Sequence, residues 1–387
     1  MITNKLSADM IAKDLNSGYW AVAENYFFHK GDALRYASSI NSTAVTYHFY
    51  DQIFDSTSWI EPVESYKTLC KRRAQEIRDK YKYVALAFSG GADSTNVLHS
   101  FLDNNIKLDE VWTHFNIRDA ENMVNTRKID NSPENFMVEY LAVIKPKLKW
   151  LAEHHPDIKI TVLDTSEVSK EDIINCQVYD SAYAGLIISP NAAGWKIMRE
   201  SMLRYGNDAV TVHGIDKPRL GYNHVTQKFY TYFHDFNTCH GNWAHKPGEY
   251  TATEYFYYAK SMPELLVKGV HLIKNAVAPI VNTEFFKTFS FASNAGPQFS
   301  IIDVHSNFIK SVLYPDWDNN TFQVEKCKNF FWLEYSQHTL ADSKIADFWA
   351  GQLNEFLHGI DPKFLIRDPD GKLNKMRDYF TKLRYLN

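Results

Sequence analysis

One short segment constrains the fold more than any other. Residues 83–88, Tyr-Val-Ala-Leu-Ala-Phe, are an apolar run of strand length. Ser89-Gly90-Gly91-Ala92-Asp93-Ser94-Thr95 follows at once, and from Asp93 the spacing of Val97, Leu98, Phe101 and Leu102 is helical. A strand that feeds a helix through two glycines predicts one unit of a parallel sheet, with the turn at the carboxyl end of the strand.

The flanking sequence repeats that alternation. Residues 64–81 read as a helix, with Tyr66, Leu69, Cys70, Ala74, Ile77 and Tyr81 on one side and Lys67, Lys71, Arg72, Arg73 and Arg78 around the rest. Strands are predicted at 110–115, 158–163 and 209–213. Between them lie helices over about 134–153, kinked at Pro146, and from Ser189-Pro190 to Gly206. The expected fold class is therefore α/β, a doubly wound parallel sheet with helices on both faces. After residue 250 the pattern turns helical: Ser261-Met262-Pro263-Glu264 has capping-box spacing, and helices are expected over 343–358 and 370–386. The 387 residues exceed one domain of about 150. They divide into an α-rich N-terminal extension (1–80), the α/β domain (81–250) and a mainly helical C-terminal region (251–387). No apolar run approaches the length of a membrane span, and Met-Ile-Thr-Asn-Lys-Leu lacks the apolar core of a secretory leader.

The 89–95 loop has the composition of a phosphate cradle. Gly90 and Gly91 allow close backbone approach, successive amides with Ala92 make an anion-binding nest, and the following helix adds its positive end. Ser89, Ser94 and Thr95 supply hydroxyls, while Asp93 can cap the helix or hold a hydrated Mg2+. The loop is not a Walker A sequence, since no Lys follows the glycines, and no dinucleotide-type Gly-x-Gly-x-x-Gly occurs.

Ser-Gly-Gly-Ala-Asp-Ser matches the SGGxDS signature of the PP-loop ATP pyrophosphatases, the adenine nucleotide α-hydrolase-like family, and residues 80–235 resemble its core. The wider chain, through Arg72–Tyr81 and Glu254–His271, also resembles PP-loop proteins of large tailed bacteriophages, which bring no known substrate. The resemblance implies a PP-loop/HUP-like fold and a MgATP-dependent enzyme that adenylates an acceptor, releases pyrophosphate and lets a nucleophile displace AMP. It implies ATP and Mg2+ as ligands and a region around His114, Phe115 and Asn116 that contacts the adenosine. Phe115 can equally be a core residue.

His213-Gly214-Ile215-Asp216-Lys217-Pro218-Arg219 ends the 209–213 strand. Its outline is similar to the loop of asparagine synthetase-like proteins, with Lys217 where a second acidic residue is expected. Asp216 can bind Mg2+ with Asp93, and Lys217 and Arg219 can neutralise departing pyrophosphate. The expected catalytic set is Ser89, Asp93, Ser94, Asp216, Lys217 and Arg219. Gly214 joins the nucleotide-binding residues, and Asp164 to Ser166 face the acceptor.

Composition narrows the alternatives. The net charge of −4 argues against a generally basic nucleic-acid coat. Basic patches at 67–80 and at Lys363, Arg367, Lys372, Lys375, Arg377, Lys382 and Arg384 keep a nucleic-acid substrate open. The four cysteines, Cys70, Cys176, Cys239 and Cys327, are scattered, which fits a reducing cytoplasm, or a host cytoplasm for a phage protein. Their scatter favours nitrogen chemistry over thiolation or sulfonucleotide reduction, with Cys239 the best candidate for a reactive thiol. A non-catalytic adenine-nucleotide-binding module is the remaining alternative. His234, Asp235, Cys239, His240 and His245 offer metal-ligand types at a spacing that matches no zinc pattern, so a mobile acceptor-side loop or plain packing is the favoured reading.

Overall fold

The chain begins with strands. In the computed structural model, which describes residues 5–6, 18–27, 29–115, 117, 140–164, 178–180, 185–187, 197–198, 200–215, 217, 219–235, 252–293, 296–316, 357–367 and 373–386, β1 (Lys5–Leu6), β2 (Tyr19–Val22), β3 (Asn25–Phe27) and β4 (Thr46–His48) form an antiparallel sheet in the order β1-β3-β2-β4. Helices α1 (Lys30–Ser39) and α2 (Asp51–Ser56) accompany it. Within residues 1–80 these short strands accompany the helices. Strands of two to four residues in an aromatic stretch are too short to set a period in the sequence.

Helix α3 (Tyr66–Lys80) starts at Ser65, whose hydroxyl accepts from the Thr68 amide at 3.1 Å. It leads into β5 (Tyr83–Ala87), α4 (Ala92–Leu102) and β6 (Glu110–Phe115). Tyr140–Ile144 form a π turn, continued by α5 (Lys145–His154), so Pro146 sits in the first turn of α5, where its missing N–H costs nothing. Then come β7 (Lys159–Asp164), a small hairpin of β8 (Val178–Asp180) and β9 (Gly185–Ile187), and β10 (Ala209–His213). The 189–206 helix is described only in part, at 197–198 and 200–203, and Gly206 lies beyond it at φ +68°.

β11 (Arg219–Asn223) and β12 (Lys228–Tyr232) follow, strands not expected from the sequence. β13 (Ala252–Tyr255) then completes a five-stranded, all-parallel sheet in the order β13-β10-β5-β6-β7. A boundary at residue 250 would cut off that edge strand. Val84 and Leu86 point into the main core, while Ala85 between them packs with Met202 and Ala209 on the other face. Both faces are covered, which is why these strands read as nearly continuous apolar runs.

The C-terminal region is also mixed. α6 (Pro263–Val277) forms as expected, but its N-cap is Met262, with no side-chain cap, so the Ser261/Glu264 capping box is not made. Glu264 pairs with Arg72 instead. After α7 (Glu284–Lys287) come β14 (Ser290–Ser293) and β15 (Gly296–Ile302), then α8 (Asn307–Leu313). β16 (Leu365–Arg367) pairs with β17 (Leu373–Met376), and β18 is Arg384–Tyr385. A second five-stranded sheet, wholly antiparallel, runs β14-β15-β11-β12-β18. The 370–386 segment is thus strand and loop, not helix, because edge pairing to β12 overrides a weak helical period. The 343–358 helix lies outside the described residues except at its end. No helix among the described residues is long and apolar enough to cross a membrane.

Candidate functional site

Strand order locates the site. The chain runs outward from β5 to β6 and β7, then returns to place β10 on the other side of β5. The order reverses between β5 and β10, and the loops leaving their carboxyl ends bound the crevice where open α/β sheets take ligands. Ser89–Gly91 and Gly214–Lys217 are those two loops.

The first is tightly built. Gly90 has φ +71°, and a Cβ there would lie 2.9 Å from Ile144. The Ser94 hydroxyl accepts from the Ser89 amide at 3.3 Å and donates to the Gly91 carbonyl at 3.2 Å. The Thr95 hydroxyl donates to the Gly90 carbonyl at 3.3 Å. Ser94 and Thr95 therefore shape the turn, and Ser89 is tied to Ser94 at 3.2 Å. The helix begins at Gly91, which has no side chain to cap it. The first intrahelical bond runs from Thr95 to Gly91 at 2.9 Å, so the amides of Ala92, Asp93 and Ser94 have no acceptor within the helix. This is an electropositive helix end.

Gly214 explains how the second loop meets it. A Cβ at Gly214 would sit 3.0 Å from the Ser94 backbone and 3.1 Å from the carbonyl carbon of Asp93. The end of β10 thus lies directly against the first turn of α4. Beyond it, Lys217 is 1% exposed and ion-pairs with Asp93 Oδ2, while Tyr314 donates to Asp93 Oδ1 at 2.5 Å. Tyr257 donates to the Asp93 carbonyl at 2.9 Å and Tyr258 to the Lys217 carbonyl at 3.1 Å. Burial holds the Tyr257 and Tyr314 phenols far above their usual range, with the Asp93 charge adding to it. Both carboxylate oxygens of Asp93 are engaged, Oδ1 by Tyr314 and Oδ2 by Lys217. Asp216 lies outside the described residues, as does Asn116.

Lys147, on the first turn of α5, is the residue the sequence reading missed. Its Nζ donates to the Gly90 carbonyl at 3.1 Å and to Thr95 Oγ1 at 2.9 Å. Burial pushes its ammonium down to about 8. No motif marks it, because it comes from a helix more than fifty positions downstream. An ammonium held beside a helix amino end adds to the positive potential there.

Other expected residues sit differently. Phe115 is 5% exposed and stacks on Tyr140 at 5.3 Å, which makes it a core ring here. His114 is half-buried at the end of β6. Asp164 accepts from the Ile117 amide at 2.9 Å and so ties down the segment after β6. Arg219 opens β11 opposite Tyr232, whose phenol burial pushes up to about 12 against the pull of the Arg219 charge. Cys70 is buried and its thiol is pushed up to about 12 by burial, which makes it unreactive. Cys176, Cys239 and Cys327 lie outside the described residues.

Several basic side chains of helix α3 are ion-paired. Arg73 pairs with Glu76 and Glu254, Arg78 with Asp109, Lys80 with Glu254, and Arg72 with Glu64 and Glu264. Near the C-terminus, Lys363 pairs with Asp361, Lys382 with Asp55, and Arg384 with Asp51 and Asp55. Compared with known protein families, with curated proteins and with solved structures, the chain matches none.

Proposed function

We propose that this chain is a PP-loop-type, HUP-like enzyme that splits ATP between its α- and β-phosphates. One observation carries the reading. At the switch point between β5 and β10, an uncapped helix amino end, a glycine turn and the Lys147 ammonium converge on one place. A polyphosphate accepts from the first-turn amides and is attracted by the positive helix end and the Lys147 ammonium together.

In this reading Ser89, Gly90, Gly91, Ala92 and the first turn of α4 cradle the leaving pyrophosphate. Ser94 and Thr95 keep the cradle in shape, and Gly214 lets the backbone of the second loop close on it. Lys147 and Lys217 offset the charge that develops on pyrophosphate, with Arg219 at the mouth of the second loop. An oxygen of the acceptor attacks the α-phosphorus, the bond to pyrophosphate breaks, and the acceptor carries AMP. A nitrogen nucleophile then attacks the acceptor carbon and AMP leaves with the bonding pair. His114 and Phe115 border the side assigned to adenosine. No step is routed through a metal at Asp93, whose carboxylate Lys217 and Tyr314 hold. The raised thiol of Cys70 weighs against sulfur transfer through that residue. The paired basic residues of α3 weigh against a nucleic-acid acceptor bound there. A reducing cytoplasm suits the composition.

The test is direct. Purified protein should bind ATP and inorganic pyrophosphate at one shared site. With acceptor carboxylates or amides supplied as a panel, it should release labelled pyrophosphate rather than orthophosphate. Folded protein that binds neither ATP nor pyrophosphate would overturn the reading.

A further inference from the structure

Three side chains converge where the C-terminal tail crosses the end of β12. His234 and Asp235 follow β12, and Asp378 lies on the segment between β17 and β18. One ligand atom from each falls within 4.8 Å of the others. His234 Nε2 is 3.9 Å from Asp235 Oδ1 and 3.7 Å from Asp378 Oδ2. Ligand atoms around a tetrahedral Zn2+ with bonds of about 2.0–2.1 Å stand about 3.3 Å apart, so a contraction of roughly half an ångström closes both of these pairs on an ion.

Proximity alone does not make a site, and a second observation points to a ligand. Asp235 is wholly buried, yet its Oδ1 has no hydrogen-bond partner and is the oxygen turned toward His234. A buried carboxylate oxygen left so is costly. The other oxygen is fully served: Lys30 Nζ lies 2.8 Å from Oδ2 and Trp20 Nε1 donates to it at 3.3 Å. That arrangement fixes the carboxylate from behind and leaves Oδ1 for a cation, the role outer partners play in metal centres. The backbone is equally set. Asp235 N donates to the Tyr379 carbonyl at 3.0 Å, Thr381 N to the Phe233 carbonyl at 3.0 Å, and the His234 ring packs on Phe380 at 4.9 Å.

We propose that His234, Asp235 and Asp378 bind a divalent transition metal with a taste for imidazole and carboxylate, Zn2+ being the probe of choice. Its work is structural. The ion ties the C-terminal tail to β12, and through the Lys30–Asp235 pair to the N-terminal extension. The proposal is independent of the nucleotide reading. The competing arrangement is a metal-free polar cluster, in which Lys30 pairs with Asp235 and the His234 ring lies between the two carboxylates.

The experiment uses the full chain after chelation and exhaustive dialysis. Zn2+ should bind with one equivalent per chain and raise the melting temperature, and Co2+ should give the visible absorption of a low-coordinate N/O site. His234→Gln and Asp378→Asn, both at partly exposed positions, should each weaken Zn2+ by about tenfold or more while circular dichroism stays native. Cys239→Ser should leave affinity unchanged. Folded wild-type protein that takes up no Zn2+ would establish the metal-free polar cluster and end the proposal. So would unchanged affinity in both variants, or loss of binding in Cys239→Ser with Asp378→Asn intact.

Discussion

The two ends of the parallel sheet are built on opposite principles. At the amino end, charge meets countercharge. Glu110 is 1% exposed and accepts from Tyr83 at 2.7 Å, from Lys159 at 2.9 Å and from Thr161. Asp109 takes Arg78 at 2.6 Å and Lys107 at 2.8 Å, and Lys82 pairs with Asp208 at 2.6 Å. At the carboxyl end, a lysine leans on a carbonyl and a hydroxyl beside a helix end that no side chain caps. The first arrangement is complete and adds stability. The second gathers the positive end of a helix and an ammonium side by side, the arrangement the proposed function uses. Stability and binding should therefore separate cleanly in mutants drawn from the two ends.

The largest effect belongs to Gly214. A side chain there meets the backbone of Ser94 and Asp93, which cannot swing aside as a flexible side chain can. Gly214→Val should displace the first turn of α4 and abolish ATP and pyrophosphate binding, read by calorimetry, with the fold retained by circular dichroism. Unchanged affinity would remove the crevice between β5 and β10 from consideration.

Lys147→Met comes next, at about 10–100-fold in pyrophosphate affinity, the scale of one charge-assisted hydrogen bond. Its pH signature is sharper than its magnitude. With the ammonium held near 8 by burial, a polyanion binds the protonated form, so wild-type affinity should fall as pH rises through 8. Unliganded stability should move the other way. The unfolded chain keeps the proton up to its usual value of about 10.4, so it binds more protons than the native state between about 8 and 10.4, and stability rises with pH across that window. Lys147→Met should flatten both slopes. Parallel slopes in wild type and variant would show that another group titrates.

Much of this contrast is written locally in the sequence, and part of it is not. Val84–Ala87, the two glycines and the helical spacing from Asp93 are contiguous, so the strand, turn and helix are legible from seven residues and their neighbours. The partners of the turn are remote. Lys147 reaches it from α5, Tyr314 reaches Asp93 from beyond α8, and neither position carries a motif. Asp93 illustrates the cost: nothing near it in sequence announces that Lys217 and Tyr314 stand on its two oxygens. The sheets divide in the same way. Parallel strands buried on both faces announce themselves as apolar runs. β11, β12 and β18 alternate weakly and gain their strand character from antiparallel partners as far away as residues 296–302 and 384–385, a choice made by tertiary pairing rather than local propensity.

At the amino end the expected effects are on stability alone. Glu110→Gln places an amide group among three donors and should cost about 2 kcal/mol in denaturant unfolding, with ATP affinity unchanged. In wild type, burial pushes the Glu110 carboxyl up, and the hydrogen bonds from Thr161, Lys159 and Tyr83 outweigh it and hold it below the usual carboxylate range. Its contribution is therefore full above the usual carboxylate value and lost as pH falls through the depressed one. Wild type and Glu110→Gln should converge in stability as the pH is lowered. A change in ATP affinity in this variant would break the division between the two ends.

The smallest effect tests whether burial, rather than location, gives the amino end its strength. Lys82 and Asp208 also stand at strand starts, and at 2.6 Å their contact is shorter than that of Lys159 with Glu110. Yet their side chains are 84% and 58% exposed, so water and salt screen the pair and both chains lose entropy in holding it. Lys82→Ala should leave the melting temperature and its salt dependence unchanged within error. A clear drop, abolished by added salt, would show instead that the whole amino rim acts as one electrostatic network, and the contrast with the carboxyl end would then rest on summed charge rather than on the burial of Glu110.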